Sequence, residues 1–243
     1  MDVIFKTRLI NSTVGVLEFV AWNQLGIEHG FLGKLPEELS IKNIMEASSY
    51  LTVKQVHGKE YFDARSDEGL NNLIEANKSG TLPEADAIIF NKVNQAQQIG
   101  KLFYICTADC VPLVMKVQNT FALIHAGWRG LAQGIVSVVV EALMASTMED
   151  SQLEVLIGPC AGSEVYEVGE EVLMEIGSEA KFQPKLDKKF LLDLGGTAAN
   201  QVKRLCSGSL IYQTNVCTIS SKQYNSYRRE DKLAGRNISF IYT

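Results

Sequence analysis

The chain has 243 residues, 46% of them apolar and 21% charged, and a formal net charge of −5. That balance excludes a disordered tail, a collagen and a small disulfide scaffold, and it is enough chain for a sizeable hydrophobic core. With 23 basic residues against 28 acidic ones and no Lys/Arg cluster, a surface dedicated to nucleic acid is not expected.

No apolar run approaches the ~20 residues of a membrane span. The opening Met1-Asp2-Val3-Ile4-Phe5-Lys6 lacks the basic-then-apolar form of a signal peptide, so a cytoplasmic protein is expected. Five cysteines (Cys106, Cys110, Cys160, Cys206, Cys217) cannot all pair with one another, and each reads as core filler, metal ligand or nucleophile. Only three histidines are present, His29, His57 and His125.

Along the chain, Val3–Leu9 and Val14–Trp22 read as strands around an Asn11-Ser12-Thr13 turn. Ser40 is placed to cap a short helix over Ser40–Ala47. Leu51–Val56 reads as a strand running into His57-Gly58, and a polar stretch to Pro83 holds a short helix near Leu70–Ala76. Ala85–Phe90, Leu102–Cys106, Val111–Val117 and Thr120–His125 are apolar strands, with Thr107–Cys110 a turn. From Leu131 the apolar residues Ile135, Val138, Val139, Ala142 and Leu143 recur at helical spacing. Leu153–Ile157 is a strand stopped by Gly158-Pro159. Gly169–Ile176 and Thr197–Cys206 read as helices, and Phe190–Leu194, Leu210–Ile219 and Ile238–Tyr242 as strands. Strands outnumber helices without strict alternation and no composition shift divides the chain. The expectation is therefore one α+β domain over residues 1–243, with mixed β-sheets flanked by helices.

The reactive side chains fall at strand ends. His57, Cys110 and His125 each sit where a strand meets a loop, and they converge if those strands share a sheet. One thiolate and two imidazoles suit zinc, and three protein ligands leave a fourth position open, as in catalytic rather than structural sites. The same residues also read as a cysteine nucleophile with a histidine base. Asp109 is then a proton carrier or an orienting carboxylate, against the plainer role of bracing a tight turn. In His125-Ala126-Gly127-Trp128-Arg129-Gly130, a strand-to-helix turn, backbone amides and Arg129 are candidates for an anion site, with a plain turn as the alternative. Ser226-Tyr227-Arg228-Arg229 followed by Gly235-Arg236 reads as a solvated loop or as a polar wall beside an anionic or sugar-bearing ligand. Cys106, Cys160, Cys206 and Cys217 read as packing.

Taken in order, Gln55-Val56-His57-Gly58, Thr107-Ala108-Asp109-Cys110-Val111-Pro112, His125-Ala126-Gly127-Trp128-Arg129-Gly130, Ile157-Gly158-Pro159-Cys160 and Tyr166-Glu167-Val168-Gly169 resemble the laccase-domain family. Ser226-Tyr227-Arg228-Arg229 and Gly235-Arg236 extend the match, which runs from about residue 29 onward. That family was formerly called multicopper polyphenol oxidase-like and is now described as purine nucleoside phosphorylases. The resemblance implies a zinc site of His57, Cys110 and His125. It also implies phosphorolysis of adenosine, inosine and methylthioadenosine, hydrolytic deamination of adenosine, and a fold similar to cysteine hydrolases of the cytotoxic necrotizing factor type.

On that reading Asp109 and Arg129 are catalytic, and Arg129, Gly130, Arg228, Arg229 and Lys34 bind substrate or phosphate. One block departs from the pattern. After His29-Gly30-Phe31 comes Leu32-Gly33-Lys34, where the family's block usually ends in Arg, so a cation without the bidentate fork stands there. The partners expected are a purine nucleoside and phosphate. A copper-dependent phenol oxidase is disfavoured by the few histidines. The same residues are also compatible with a Cys110–His125 hydrolase acting on amides, and with a non-catalytic nucleotide- or partner-binding module.

Overall fold

A computed structural model describes residues 5–10, 14–37, 39–92, 100–145, 147 and 151–243. The expected turn at residues 11–13, and Val3 and Ile4 of the first expected strand, lie outside them. Two six-stranded mixed sheets and one three-stranded antiparallel sheet carry the fold, with helices on the outer faces. The first sheet runs Phe5–Ile10, Val14–Phe19, Glu28–Leu32, Asn237–Tyr242, Lys101–Thr107 and Ser49–Leu51 in spatial order. The second runs Leu210–Gln213, Glu154–Ile157, Val111–Val117, Thr120–Ala126, Ala87–Asn91 and Tyr61–Ala64, and the small one Glu167–Gly169, Lys189–Leu192 and Phe182–Pro184. In each large sheet most pairs are antiparallel, with parallel partners at the edges. The architecture is mixed α+β, as expected.

The period of two along each strand sorts side chains between layers. In Lys101–Thr107, Phe103 and Ile105 point toward the second sheet, while Leu102 and Tyr104 pack on the outer face. In Thr120–Ala126, Phe121 and Leu123 point toward the first sheet, while Ala122, Ile124 and Ala126 meet the helices. The interlayer core is aromatic: Phe90 of one sheet stacks on Phe103 of the other, with ring centroids 3.8 Å apart and planes 3° from parallel. Outside the second sheet lie the helices Ile135–Met144 and Leu194–Leu205; outside the first lies the short helix Ile41–Ile44, begun at Ser40. Trp22 pins the layers together by donating from Nε1 to Glu154 Oε2 at 2.9 Å, a carboxylate also held by Lys116. Among the described residues no helix is long and apolar enough to cross a membrane.

Several boundaries differ from the sequence expectation, each for a local reason. The helix expected from Leu131 starts at Trp128 and is broken at Gly134, whose φ of 87° ends Trp128–Gln133 before Ile135–Met144 begins. Leu210–Ile219 pairs regularly only over Leu210–Gln213, because its parallel partner Glu154–Ile157 stops at Gly158-Pro159, and beyond that a lone parallel bridge joins Cys217 to Cys160. Leu51–Val56 pairs regularly only over Ser49–Leu51, with a lone bridge from Lys54 to Glu84. Val14–Trp22 turns into the helix Val20–Gln24 after Phe19. Glu28–Leu32, Tyr61–Ala64, Glu167–Gly169 and Phe182–Pro184 are strands that periodicity did not predict.

His29 lies in the first of these strands and is fully buried. Its Nδ1 donates to Ile27 O at 2.8 Å, which leaves Nε2 to accept from Phe19 N at 3.0 Å. Both ring nitrogens are therefore used in a neutral imidazole, and burial pulls its pKa below 6.5 despite the nearby Glu18 carboxylate. The unfolded chain takes up a proton first as the pH falls through about 6.5, so the stability supplied by neutral His29 is complete above that pH and declines below it. The urea midpoint is expected to drop between about pH 7.5 and about pH 5.5, and to drop less in His29→Asn. Equal slopes for the two proteins would remove His29 as the titrating group.

Candidate metal centre

The centre forms where strands of both large sheets end. Only Ala108-Asp109-Cys110 separates Lys101–Thr107 in one sheet from Val111–Val117 in the other. Cys110 therefore sits on the crossing between layers. His125 lies on the same inner face as Phe121 and Leu123, one residue from the end of its strand. His57 comes from the loop after Ser49–Leu51. Ligand atoms of His57, Cys110 and His125 lie within 4.8 Å of one another, and the two rings meet edge to face at 4.7 Å. The trio expected from the sequence is brought together. Gly127 closes it from behind: a Cβ there would lie 2.9 Å from Cys110 Sγ and 3.3 Å from His57 Cδ2, so a larger residue would displace a ligand.

The residue that the sequence reading missed is Asp86. It directly precedes the strand Ala87–Asn91, and the register Ala87↔Ile124 puts it beside His125 with both side chains between the sheets. His125 Nδ1 donates to Asp86 Oδ1 at 2.8 Å, and His125 N donates to Asp86 O at 2.8 Å. The same buried carboxylate accepts from Val56 N at 3.2 Å, His57 N at 3.0 Å and Gly58 N at 2.7 Å. Three successive amides aimed at one anion require a tight turn, and His57 adopts φ 62° to complete it. This is why the expected strand through Val56 does not form: its last amides serve Asp86. Burial pushes the Asp86 carboxyl up, but the hydrogen bonds from His125, Gly58 and His57 outweigh it and hold it below the usual range. The available signal was an acidic residue heading the otherwise apolar run Ala85–Phe90.

The electrostatics suit a metal ligand set. Burial pushes the Cys110 thiol up, but His125 and His57 outweigh it and leave it lowered to about 6. Burial pulls His125 down, but Asp86 and Cys110 hold it up at about 9. Without an ion the pair is a thiolate beside an imidazolium, and a cation would take the place of the shared proton. With Nδ1 committed to Asp86, His125 has Nε2 free for a metal. The donor chemistry of the trio fits zinc.

Above the trio is a cavity of about 480 Å³, walled by Gln55, Cys106, Asp109, Trp128, Tyr166 and Arg228 among others. Arg129 also lines it, with its guanidinium 4.3 Å from the Trp128 ring centre. Asp109 lies at φ 85° and is not a free acid: it accepts from Thr218 Oγ1 at 2.6 Å, Ser226 Oγ at 3.0 Å and Arg228 N at 2.7 Å. Its geometry is that of a latch tying two loops to Cys110. Cys106, read as packing, also forms part of the cavity wall, where Gln55 clamps its backbone from both sides at 2.7 and 2.8 Å.

Three expected phosphate contacts do not reach the cavity wall. Arg229 is folded back on the carbonyls of Thr218, Ile219 and Tyr224 and on Glu230. Lys34 pairs with that Glu230 at 2.6 Å. Gly130 packs beneath the carbonyl of Gly58.

Residues 37–243 match the family described as multi-copper polyphenol oxidoreductase laccase. The chain is 34% identical over 220 residues to a purine nucleoside phosphorylase of Clostridium acetobutylicum, covering 88% of each. It is 32% identical over 192 residues to one of Xylella fastidiosa, covering 76% of this chain and 68% of that one. The solved structure of the hypothetical protein YfiH of Bacillus licheniformis has the same fold, with a TM-score of 0.78 at 20% identity over 98% of both chains. So does YlmD of Geobacillus stearothermophilus, with a TM-score of 0.78 at 21% identity and the same coverage.

Asp86→Asn keeps the volume and removes the charge that orients both histidines. It is expected to weaken zinc binding by about 10- to 100-fold, read by competition with a chelating dye, with the folded circular-dichroism signal retained. Native affinity in a folded variant would show that Asp86 does not position the ligands.

Proposed function

The chain belongs to the multi-copper polyphenol oxidoreductase laccase family, and from that premise we propose a zinc-dependent purine nucleoside enzyme. It cleaves adenosine, inosine and methylthioadenosine by phosphorolysis and deaminates adenosine by hydrolysis, as one cytoplasmic domain over residues 1–243. The observation that carries this reading is the meeting of His57, Cys110 and His125 in a cavity lined by Arg129 and Arg228. The names of the relatives support its phosphorolytic half.

His57, Cys110 and His125 would hold the ion, which when bound supplies Lewis acidity at the reacting centre. Copper is disfavoured by the donor count: of three histidines in the chain, His29 is spent on backbone, and two are too few for several coppers. Arg129 and Arg228 hold the phosphate, kept aligned by stacking on Trp128 and on Tyr166. In phosphorolysis a phosphate oxygen bonds to C1′ of the ribose as the C1′–purine bond breaks, and the electron pair leaves with the base. The two guanidiniums fix the attacking oxygen and offset its charge. In deamination water adds to the amino-bearing carbon of adenine and ammonia leaves. Asp109 serves both reactions as a positioning residue, since its carboxylate sets the Arg228 backbone and the loop that bears Cys110.

Product analysis of zinc-loaded protein with adenosine tests the reading. Adenine and ribose 1-phosphate are expected only when phosphate is present, and inosine with or without it. Cys110→Ala and His57→Ala are each expected to lower turnover by about 100-fold or more, together with zinc content. Full activity in either variant, or neither product in the native protein, would overturn it.

A second reading, a hydrolase acting on amides, is favoured by one observation. Asp86, His125 and Cys110 form a carboxylate–imidazole–thiolate line of the kind that activates a cysteine nucleophile. It agrees with the similarity that the family resemblance implies to cysteine hydrolases of the cytotoxic necrotizing factor type. Metal analysis and alkylation separate the two readings. Protein isolated without metal, with Cys110 alkylated at a rate that rises with pH through about 6, supports the hydrolase. About one zinc per chain, with Cys110 alkylated only after chelation, supports the nucleoside enzyme. Zinc bound without turnover of adenosine, inosine or an amide leaves a binding module.

A further inference from the structure

The distribution of arginine is uneven. The chain has seven arginines. Four are neutralised by carboxylates: Arg8 by Glu18, Arg65 by Asp63, Arg204 by Glu179 and Arg229 by Glu230. The other three, Arg129, Arg228 and Arg236, make no ion pair among the described residues, and all three line the cavity over the metal centre. In a protein with more acidic than basic residues, every arginine without a carboxylate partner among the described residues lines one cavity.

The three come from separate segments. Arg129 opens the helix after the strand Thr120–Ala126, Arg228 lies in the short helix Tyr227–Glu230, and Arg236 precedes the last strand Asn237–Tyr242. Each is braced without being neutralised. Arg129 stacks on Trp128, and Arg228 stacks on Tyr166 at 4.8 Å and donates to Glu167 O at 2.8 Å. Arg236 donates to Ala234 O at 2.9 Å and Gly235 O at 3.0 Å. The one carboxylate among the described residues of the cavity wall, Asp109, is already used by Thr218, Ser226 and the Arg228 amide. Three guanidiniums lining one space give it a positive potential that suits an anion. A phosphate ion is gripped by one or two bidentate forks, the number supplied by Arg129 and Arg228. Arg236 is left over, on the wall beside Cys106.

We propose that the cavity binds a purine nucleoside that itself carries a phosphoryl group, a nucleoside 5′-phosphate, in preference to the bare nucleoside, with Arg236 receiving that group. The proposal rests on the purine reading above and adds a second anion to the site; the phosphoryl group is a handle and is not consumed.

Stopped-flow titration of tryptophan fluorescence in the zinc-loaded protein, whose Trp128 lines the cavity, with adenosine 5′-monophosphate and with adenosine, read before the first turnover, tests it. The phosphorylated compound is expected to bind at least about tenfold more tightly, the scale of one charge-assisted contact. Arg236→Gln is expected to bring the two affinities together, and Arg236→Lys to restore part of the difference. Saturating inorganic phosphate is expected to leave the native preference in place, because it occupies Arg129 and Arg228. The proposal falls if the native protein shows no preference, if the preference survives Arg236→Gln in a folded variant, or if free phosphate erases it. Turnover of adenosine without a preference for the monophosphate sinks only this subsite. An Arg236-dependent preference without adenosine turnover upholds the subsite and removes the phosphorolysis reading.

Discussion

The site depends on one buried carboxylate. Asp86 accepts hydrogen bonds from the His125 ring and from three backbone amides of the turn that carries His57, so two histidines from distant segments are oriented by a single side chain. A carboxylate taken from water is costly unless its oxygens are filled, and breaking such a set by removing one partner costs on the order of 3–5 kcal/mol. That cost runs in both directions. The turn at Val56-His57-Gly58 keeps its left-handed histidine because Asp86 needs those amides, and Asp86 stays ionised because the turn supplies them. The placing of the His57, Cys110 and His125 side chains and the shape of the cavity floor follow from this arrangement.

Around it, polar groups are divided between those that build and those that face the cavity. Asp109 and Arg229 are candidate site residues in the sequence but serve, with Gln55, as internal ties: Asp109 to the loops bearing Thr218 and Ser226, Gln55 to the Cys106 backbone, Arg229 to a ring of carbonyls. Lys34 extends this bracing through Glu230. The neighbouring Arg228 points the other way, into the cavity. Two adjacent arginines thus have opposite duties, one holding the loop and one facing solvent and ligand.

That division explains what could be read beforehand. The trio of His57, Cys110 and His125 was legible because histidine is scarce here and each member falls at an expected boundary between strand and loop. The central strands Val111–Val117 and Thr120–Ala126 were legible because their apolar residues fill both faces. Asp86 was not, since its role depends on the cross-strand register with His125, which no local pattern encodes. Nor could spacing tell Arg228 from Arg229, because the difference lies in which side of a four-residue helix meets the carbonyls. The strand Glu28–Leu32 escaped because its charged first residue, buried histidine and glycine break the apolar alternation, and its pairing with the last strand is a long-range contact.

The three-residue crossing at Ala108-Asp109-Cys110 has a consequence for assembly. One ligand sits on the link between the layers, another on the inner face of the second sheet, and the third on a loop anchored to the first sheet through Gln55 and Cys106. No single layer contains a complete set, and none can offer a metal more than a partial grip. The centre therefore comes into being only with the closure of the sandwich. An ion held there would act as a rivet, adding its binding energy to the contact between the sheets, and opening of the aromatic layer between Phe90 and Phe103 would loosen its grip.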